Sequence, residues 1–268
     1  MLAYTRRGTG TPLVLLHGIG ASHRAWAPVM PALAERFDVI AVDLPGFGGS
    51  DPVPPKIEPT PAVLAASVAS FLDELGISTP HVAGNSLGGW VALELAALRP
   101  VASLALLSPA GLWRDRTPVY TRVSLRIMRW LARHCSRPLS PLLTYRLARI
   151  VVLGQVHGRP TRVDPDHART EIRDLGTCPG FEATMKAAQI RHYRAESSLD
   201  TRVTVAFGSR DLVLLAHQSR HLEQLPPGTR VESLPRCGHV PMPDDPDAVA
   251  AFIAVATTGH VTRHDIRA

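Results

Sequence analysis

Gly84-Asn85-Ser86-Leu87-Gly88 decides how this chain is read. The pentapeptide is a G-x-S-x-G that follows the run His81-Val82-Ala83 and leads into Gly89-Trp90-Val91-Ala92-Leu93, which continues as a helix. A serine on a sharp strand-to-helix corner is held in strained backbone, and glycines on either side let neighbouring chain approach without a Cβ in the way. Its hydroxyl then projects from the sheet at a helix N-terminus, where free N–H groups stabilise an anion. Five-residue patterns of this sort arise by chance. The β pattern before it and the α pattern after it are what give it weight.

Outward from this corner, strands alternate with helices. Residues 12–17 (PLVLLH) form a short apolar run ending in glycine, the pattern of a strand covered on both faces. Residues 24–36 have helical spacing, 37–43 (FDVIAVD) read as a second buried strand, and 44–51 are turn-rich. A helix over 60–75, a strand over 81–85, a helix over 86–98 and a strand over 101–107 follow. Between residues 111 and 193 the patterns are helical and no strand is evident. Alternation resumes with a strand at 202–207, a helix at 214–224, a strand at 230–234 and a helix at 247–256. The spacing predicts an α/β fold, a doubly wound and mostly parallel sheet with helices on both faces. A helical cap insertion should lie above the strands' C-terminal ends, where open α/β sheets bind ligands. The expected organisation is a core in two parts, 1–110 and 196–268, around an arginine-rich cap, 111–195, with a tail from Thr257.

A serine is a weak nucleophile without a base, and the base needs an orienting acid. Asp211, in Phe207-Gly208-Ser209-Arg210-Asp211, follows the penultimate predicted strand, and His239, in Cys237-Gly238-His239-Val240-Pro241, follows the last. A histidine beside glycine is often only a loop residue, and an aspartate after a strand often a helix cap. Here both leave the same edge of the sheet as Ser86, in the order Ser…Asp…His.

Charge narrows the partners. The 268 residues are 45% hydrophobic and 19% charged, which argues against global disorder, and the formal net charge is +6. Residues 112–178 hold 13 arginines against 5 acids, or +8, while the rest of the chain nets −2. Within that segment Arg122, Arg126, Arg129 and Arg133 recur at helical spacing opposite Tyr120, Val123, Ile127, Trp130 and Leu131, a basic amphipathic helix. The pattern predicts a solvated arginine face over an apolar face buried in the cap. Weak contact of the basic stripe with an anionic membrane surface, or attraction of acidic substrates, are further readings. With 5% aromatics and no recognition motif, no nucleic-acid partner is expected. Cys135, Cys178 and Cys237 lack the spacing of a disulfide framework or a zinc site, so no metal is expected. No apolar run approaches the roughly 18 residues that span a bilayer. The first residues reach charge and glycine before any run of signal-peptide length. A soluble, reduced, cytoplasmic protein is the expectation; nothing in the sequence fixes its oligomeric state.

In these features the chain resembles the α/β-hydrolase superfamily over nearly its whole length. His17-Gly18-Ile19-Gly20, Trp26 and Asp43-Leu44-Pro45-Gly46-Phe47-Gly48-Gly49-Ser50 add to the likeness. The resemblance implies a serine hydrolase that cleaves a carboxylic ester, thioester or lactone of a small-molecule acyl substrate, without a cofactor. Ser86 would be the nucleophile, His239 the base and Asp211 the orienting acid. The amide of Leu87 would form one side of the oxyanion hole, because the residue after the nucleophile donates; that of Ile19 is assigned by family pattern alone. Epoxide hydrolases and haloalkane dehalogenases of this fold use an aspartate nucleophile, which Ser86 argues against. Gly84-Asn85-Ser86 followed by Gly88-Gly89 is similar to hydrolases that cleave carbon–carbon bonds in meta-cleavage products, an alternative reading. Those enzymes usually carry tryptophan after the catalytic histidine, where this chain has Val240. A non-catalytic ligand-binding protein of the same fold is a reading of another class.

Remaining candidates read as structural or peripheral. Trp113, Trp130 and Val240 are pocket candidates, the two tryptophans read more readily as cap packing. His17 is expected to order its loop, Asp43 to brace the following turn, and Cys237 to be packed rather than reactive. His217 and His221, four apart, read as a surface helix face. Only eleven residues precede Pro12, so one of the family's usual two leading strands is expected to be missing.

Overall fold

The computed structural model describes residues 1–195, 199 and 201–258. Seven strands form one sheet: β1 (Tyr4–Arg7), β2 (Thr11–Leu16), β3 (Phe37–Val42), β4 (His81–Asn85), β5 (Ser103–Leu107), β6 (Arg202–Gly208) and β7 (Arg230–Leu234). Their order is β1-β3-β2-β4-β5-β6-β7, with β1 antiparallel to β3 and every other pairing parallel. One leading strand is thus present, as an edge. Arg6 on β1 grips Asp38 on β3 through Nε at 2.8 Å and Nη2 at 2.6 Å.

The central strands are buried along most of their length and mostly apolar because both faces are covered. On β2, Val14 and Leu16 pack with Leu64, Val68 and Phe71 of α2 (Pro61–Glu74, following the short helix α1, Met30–Leu33) and with Trp90 and Val91 of α3 (Leu87–Leu98). Leu13 and Leu15 enter the opposite layer with Trp26, Leu33, Phe252 and Ile253. Thr60 caps α2, its Oγ1 accepting the Val63 amide at 3.2 Å, with Pro61 in the first turn.

From β2 the chain steps to one side, to β3, and after β4 it runs to the other, through β5, β6 and β7. The ends of β2 and β4 are therefore the topological switch point, where doubly wound sheets leave a crevice. Ser86 follows β4 directly and Gly18 follows β2 by two residues.

Between β5 and β6 the chain is helical: α4 (Val119–Leu139), α5 (Arg146–Leu153), α6 (Pro165–Thr177) and α7 (Phe181–Ala188). A small core of Ala132, Leu143, Leu153, Val163, Ala168 and Ile172 holds the first three together. After β6 come α8 (Ala216–Ser219) and α9 (Pro246–Thr258); Thr257 and Thr258 still belong to α9, and the rest of the expected tail lies outside the described residues.

Three expectations are corrected. The helix expected over 24–36 is a short 3-10 turn, His23–Trp26, and then α1, because Pro28 and Pro31 remove backbone donors from its middle. The helix expected over 214–224 breaks at Arg220 (φ −129°, ψ 53°), so His217 and His221 share no helix face.

The third correction is the largest: the apolar stripe of α4 is not buried in the cap. Val123 is 49%, Ile127 54%, Trp130 57% and Leu131 42% exposed, and of the arginine face Arg126 and Arg133 are exposed as expected whereas Arg129 is buried. The cause is the end of α6, whose last carbonyls have no intrahelical partner. Arg129 donates to the carbonyls of Leu175 and, at 2.9 Å, Cys178, a cation at a helix C-terminus. Close contact reinforces this orientation, since a Cβ on Gly176 would stand 2.8 Å from the Ala132 carbonyl oxygen.

Candidate active site

Ser86 sits at φ 54°, ψ −117°, a left-handed conformation that costs a non-glycine residue on the order of 1–3 kcal/mol. The turn is over-determined by its neighbours. The Ser86 carbonyl accepts the amides of Gly89 (3.0 Å), Trp90 (3.2 Å) and Ala110 (2.9 Å), and its own amide donates to the Leu107 carbonyl at 3.0 Å. A Cβ on Gly84 would lie 2.3 Å from the Gly88 oxygen, and one on Gly88 2.1 Å from the Leu16 oxygen. Both glycines of the motif are thus set by close backbone approach. Gly18 passes over the serine, where a Cβ would stand 3.2 Å from the Ser86 Cβ.

Asp211 follows β6 and His239 follows β7, and both side chains are buried. His239 Nδ1 donates to Asp211 Oδ2 at 2.9 Å. The other carboxylate oxygen accepts the amides of Val213 (2.9 Å) and Leu214 (2.8 Å). Burial opposes ionisation of Asp211, but the His239 ring and these two amides outweigh it and hold the acid below its ordinary range. Asn85 joins the two halves of the site: its Nδ2 donates to the His239 carbonyl at 2.9 Å and to the Leu107 carbonyl at 3.0 Å. The residue before the serine therefore fixes the histidine loop.

Ser86 and His239 line one cavity of about 420 Å³ beneath the cap. Ile19 and Val240 also line it, and Leu87 opens α3, so its amide has no acceptor within the helix. Leu125, Ile127, Leu131, Val151, Val152 and Leu175 make the cap side of the wall apolar. The other two pocket candidates stand elsewhere. Trp113 is buried edge-on to Trp90 at 5.5 Å, its Nε1 donating to the Arg191 carbonyl at 2.7 Å. Trp130 stacks on His134 at the outer surface.

Charged groups in the wall are paired. Arg24 Nη1 meets Asp174 at 3.3 Å, and the same carboxylate accepts the Ser22 hydroxyl at 2.5 Å. His157 Nε2 lies 2.9 Å from Glu171 Oε2, and its Nδ1 donates to the Val240 carbonyl at 3.1 Å. Burial alone would lower the His157 pKa, but the charges of Glu171 and Asp244 reverse this and raise it. Burial likewise opposes ionisation of Glu171, and His157 holds its pKa below the usual value.

The cap is stitched to the histidine loop at the same point. The amides of His239 (2.8 Å) and Val240 (3.2 Å) donate to the Val156 carbonyl. Buried Asp244 accepts the amides of Gly158 (2.8 Å), Arg159 (2.8 Å) and Gly238 (2.7 Å). Asn85, His157, Glu171 and Asp244 escaped sequence reasoning. Only Asn85 had a usable signal, its place inside the motif; the His157–Glu171 pair is 14 residues apart and the Gly158–Asp244 bond spans 86.

The peripheral candidates have structural partners. His17 Nδ1 donates to the Gly18 carbonyl at 2.7 Å and Nε2 accepts the Leu44 amide at 3.0 Å, so the ring is neutral, its pKa lowered by burial. Asp43 accepts the Gly49 amide at 2.8 Å and the His23 amide at 2.6 Å; burial opposes its charge, yet these bonds and the His23 ring hold its pKa at about 2. Burial, with Asp244 and Asp245 nearby, pushes the Cys237 thiol up to about 11. Among the described residues no cluster could hold a metal ion, and no helix is long and apolar enough to cross a membrane.

A sequence model of the alpha/beta hydrolase family matches residues 13–252. The dihydrolipoyllysine-residue acetyltransferase component of the acetoin cleaving system of Cupriavidus necator is 32% identical over 241 residues, 88% of this chain and 61% of that protein. This chain therefore spans about three-fifths of that relative's length. An epoxide hydrolase of Mycobacterium tuberculosis is 32% identical over 200 residues, 72% of this chain and 92% of that one. The enol-lactonase of Burkholderia xenovorans LB400 superposes with a TM-score of 0.74 at 23% identity, covering 96% of each chain, a likeness of fold.

Proposed function

The chain belongs to the alpha/beta hydrolase family, and on that premise we propose that it is a serine hydrolase cleaving a carboxylic ester, thioester or lactone through an acyl-enzyme on Ser86. The observation that carries this reading is the buried Asp211–His239 bond at 2.9 Å, with His239 and Ser86 in the wall of one cavity.

In this mechanism Asp211 keeps the proton of His239 on Nδ1, which leaves Nε2 free to accept. As Ser86 Oγ attacks the acyl carbon, Nε2 takes the hydroxyl proton and the carbonyl π electrons move to oxygen. The amides of Leu87 and Ile19 receive that oxyanion, a contribution worth roughly 10²–10³ in turnover per donor. Collapse expels the alcohol or thiol, which takes the proton from His239. Water then attacks the acyl-enzyme by the same path, giving up a proton to His239, which passes it to the Ser86 oxygen as the acid is released.

The apolar wall and the internal pairing of its charges favour a neutral, apolar acyl group. Arg24 is the one arginine lining the cavity among the described residues, and it is engaged by Asp174. The cap arginines Arg129 and Arg149 are spent on backbone carbonyls, so they offer no grip on an acidic substrate. This, with Val240 after the histidine, weighs against the carbon–carbon hydrolase reading.

The test is burst hydrolysis of p-nitrophenyl acyl esters, combined with fluorophosphonate labelling of wild-type protein and Ser86→Ala. Labelling and turnover are expected in the wild type and neither in the variant. Turnover only of a dienoate meta-cleavage product would assign carbon–carbon cleavage. Absence of labelling and of all turnover in folded protein would make this a binding protein.

A further inference from the structure

The outer layer of the cap, from the start of α4 to the end of α5, has an unusual composition. Residues 119–153 contain seven arginines and no aspartate or glutamate. The same stretch supplies eleven of the nineteen large hydrophobic side chains exposed among the described residues, among them Trp130 at 57%, Leu147 at 77% and Val151 at 83%. Single exposed hydrophobics need no explanation, but a concentration like this on one layer marks an interaction surface.

Its position says more. Ile127, Leu131 and Val151 are exposed and also line the cavity that holds Ser86. The patch is therefore the rim of the cavity mouth. Exposed Arg126, Arg133, Arg137 and Arg146 belong to the same layer.

We propose that this face docks on an anionic phospholipid surface. The apolar rim enters the boundary between headgroups and acyl chains, and the exposed arginines meet lipid phosphates around it. Trp130 is the residue type that favours that boundary. A second copy of the chain is the competing occupant, and charge decides against it. Face-to-face pairing would set the four exposed arginines of one layer against four of the other with no acid from either, whereas an anionic bilayer supplies the opposite sign. The surface so lies on a membrane without crossing it, and its cavity opens toward the lipid. Docking does not depend on the hydrolytic reading; only the entry of a lipid-borne acyl substrate to Ser86 rests on it.

The experiment is co-sedimentation of the full chain with vesicles of mixed phosphatidylglycerol and phosphatidylcholine, against phosphatidylcholine alone, at low and high salt. Trp26, Trp90 and Trp113 are buried, so a blue shift of tryptophan emission on binding reports Trp130. Binding to anionic vesicles with that blue shift, weakened by salt, is the expected result. Arg126→Ala with Arg133→Ala should weaken binding by about 30-fold. Trp130→Glu should lose binding yet keep its melting profile and its turnover of a soluble ester. Ser86→Ala should bind like the wild type; binding by both with no hydrolysis by either would leave docking standing and remove the hydrolytic reading. The proposal is overturned if folded protein ignores anionic vesicles at low salt or if Trp130→Glu binds undiminished. A dimer in sedimentation velocity that Trp130→Glu dissociates, without vesicle binding, would overturn it too.

Discussion

Replacing Asp211 by asparagine separates the charge of the acid from its geometry, and the surrounding bonds dictate how the new side chain sits. Oδ1 accepts the amides of Val213 and Leu214 at 2.9 and 2.8 Å. An asparagine must keep its carbonyl oxygen there, because the flipped amide would set its NH₂ against two N–H donors. Its NH₂ then faces His239 Nδ1, where the carboxylate oxygen stood at 2.9 Å. A donor in that place forces the imidazole proton onto Nε2, so the nitrogen proposed to receive the serine proton no longer can. The expected loss is about 10⁴ in kcat, equivalent to about 5.5 kcal/mol of transition-state stabilisation. KM for a p-nitrophenyl ester should change little, and Tm by a few degrees at most, since the two backbone bonds survive. Steady-state kinetics and the rate of fluorophosphonate labelling, measured beside a thermal melt, give the answer. Retention of more than about a tenth of wild-type kcat in a folded Asp211→Asn protein would refute the assignment of the acid and its tautomer argument.

Other expectations follow from equally local geometry. Gly88→Ala places a methyl 2.1 Å from the Leu16 backbone oxygen, which cannot yield, and should yield insoluble or unfolded protein; a normal melt would contradict the elbow packing. Asp43→Asn should cost about 2 kcal/mol at neutral pH, since a pKa of about 2 against an ordinary 3.8 stabilises the fold above pH 3.8 and is lost as pH falls through 2. It should leave kcat within a few-fold of wild type, whereas a loss like that of Asp211→Asn would name it the triad acid. His157, raised above 6.5, stabilises the fold fully below that pH and less as pH rises through its elevated value; Glu171, lowered below 4.5, contributes above 4.5 and fails toward acid. Tm measured across pH should therefore fall more steeply above 6.5 in the wild type than in Glu171→Gln, and parallel profiles would remove the ion pair from the account. Iodoacetamide should modify Cys135, which is partly exposed, well before Cys178 or Cys237, both buried; mass spectrometry of timed samples reads the order.

The parallel sheet and the corner at Ser86 were legible in the sequence because they are local patterns. Short apolar runs bounded by turn residues and alternating with helical spacing read as strands covered on both faces, and two glycines around a serine mark a backbone that must pass close to other backbone. Asp211 and His239 were legible for a related reason: each follows its strand by a few residues, so strand order alone carries them to one edge. The orientation of the cap was beyond such patterns. Amphipathicity shows that α4 has two unlike faces but not which is buried, since burial depends on what the helix meets. Here it meets the unfilled carbonyls of α6 about 50 residues later, and Arg129 is drawn inward to satisfy them, leaving Trp130 and Ile127 outside. The same holds for His157, Glu171 and Asp244, whose partners come from separate stretches of chain. Periodicity and turn chemistry act over a few residues and are written in order along the chain. A buried ion pair or a filled helix end is a contact between distant segments, and only the packed structure brings those segments together.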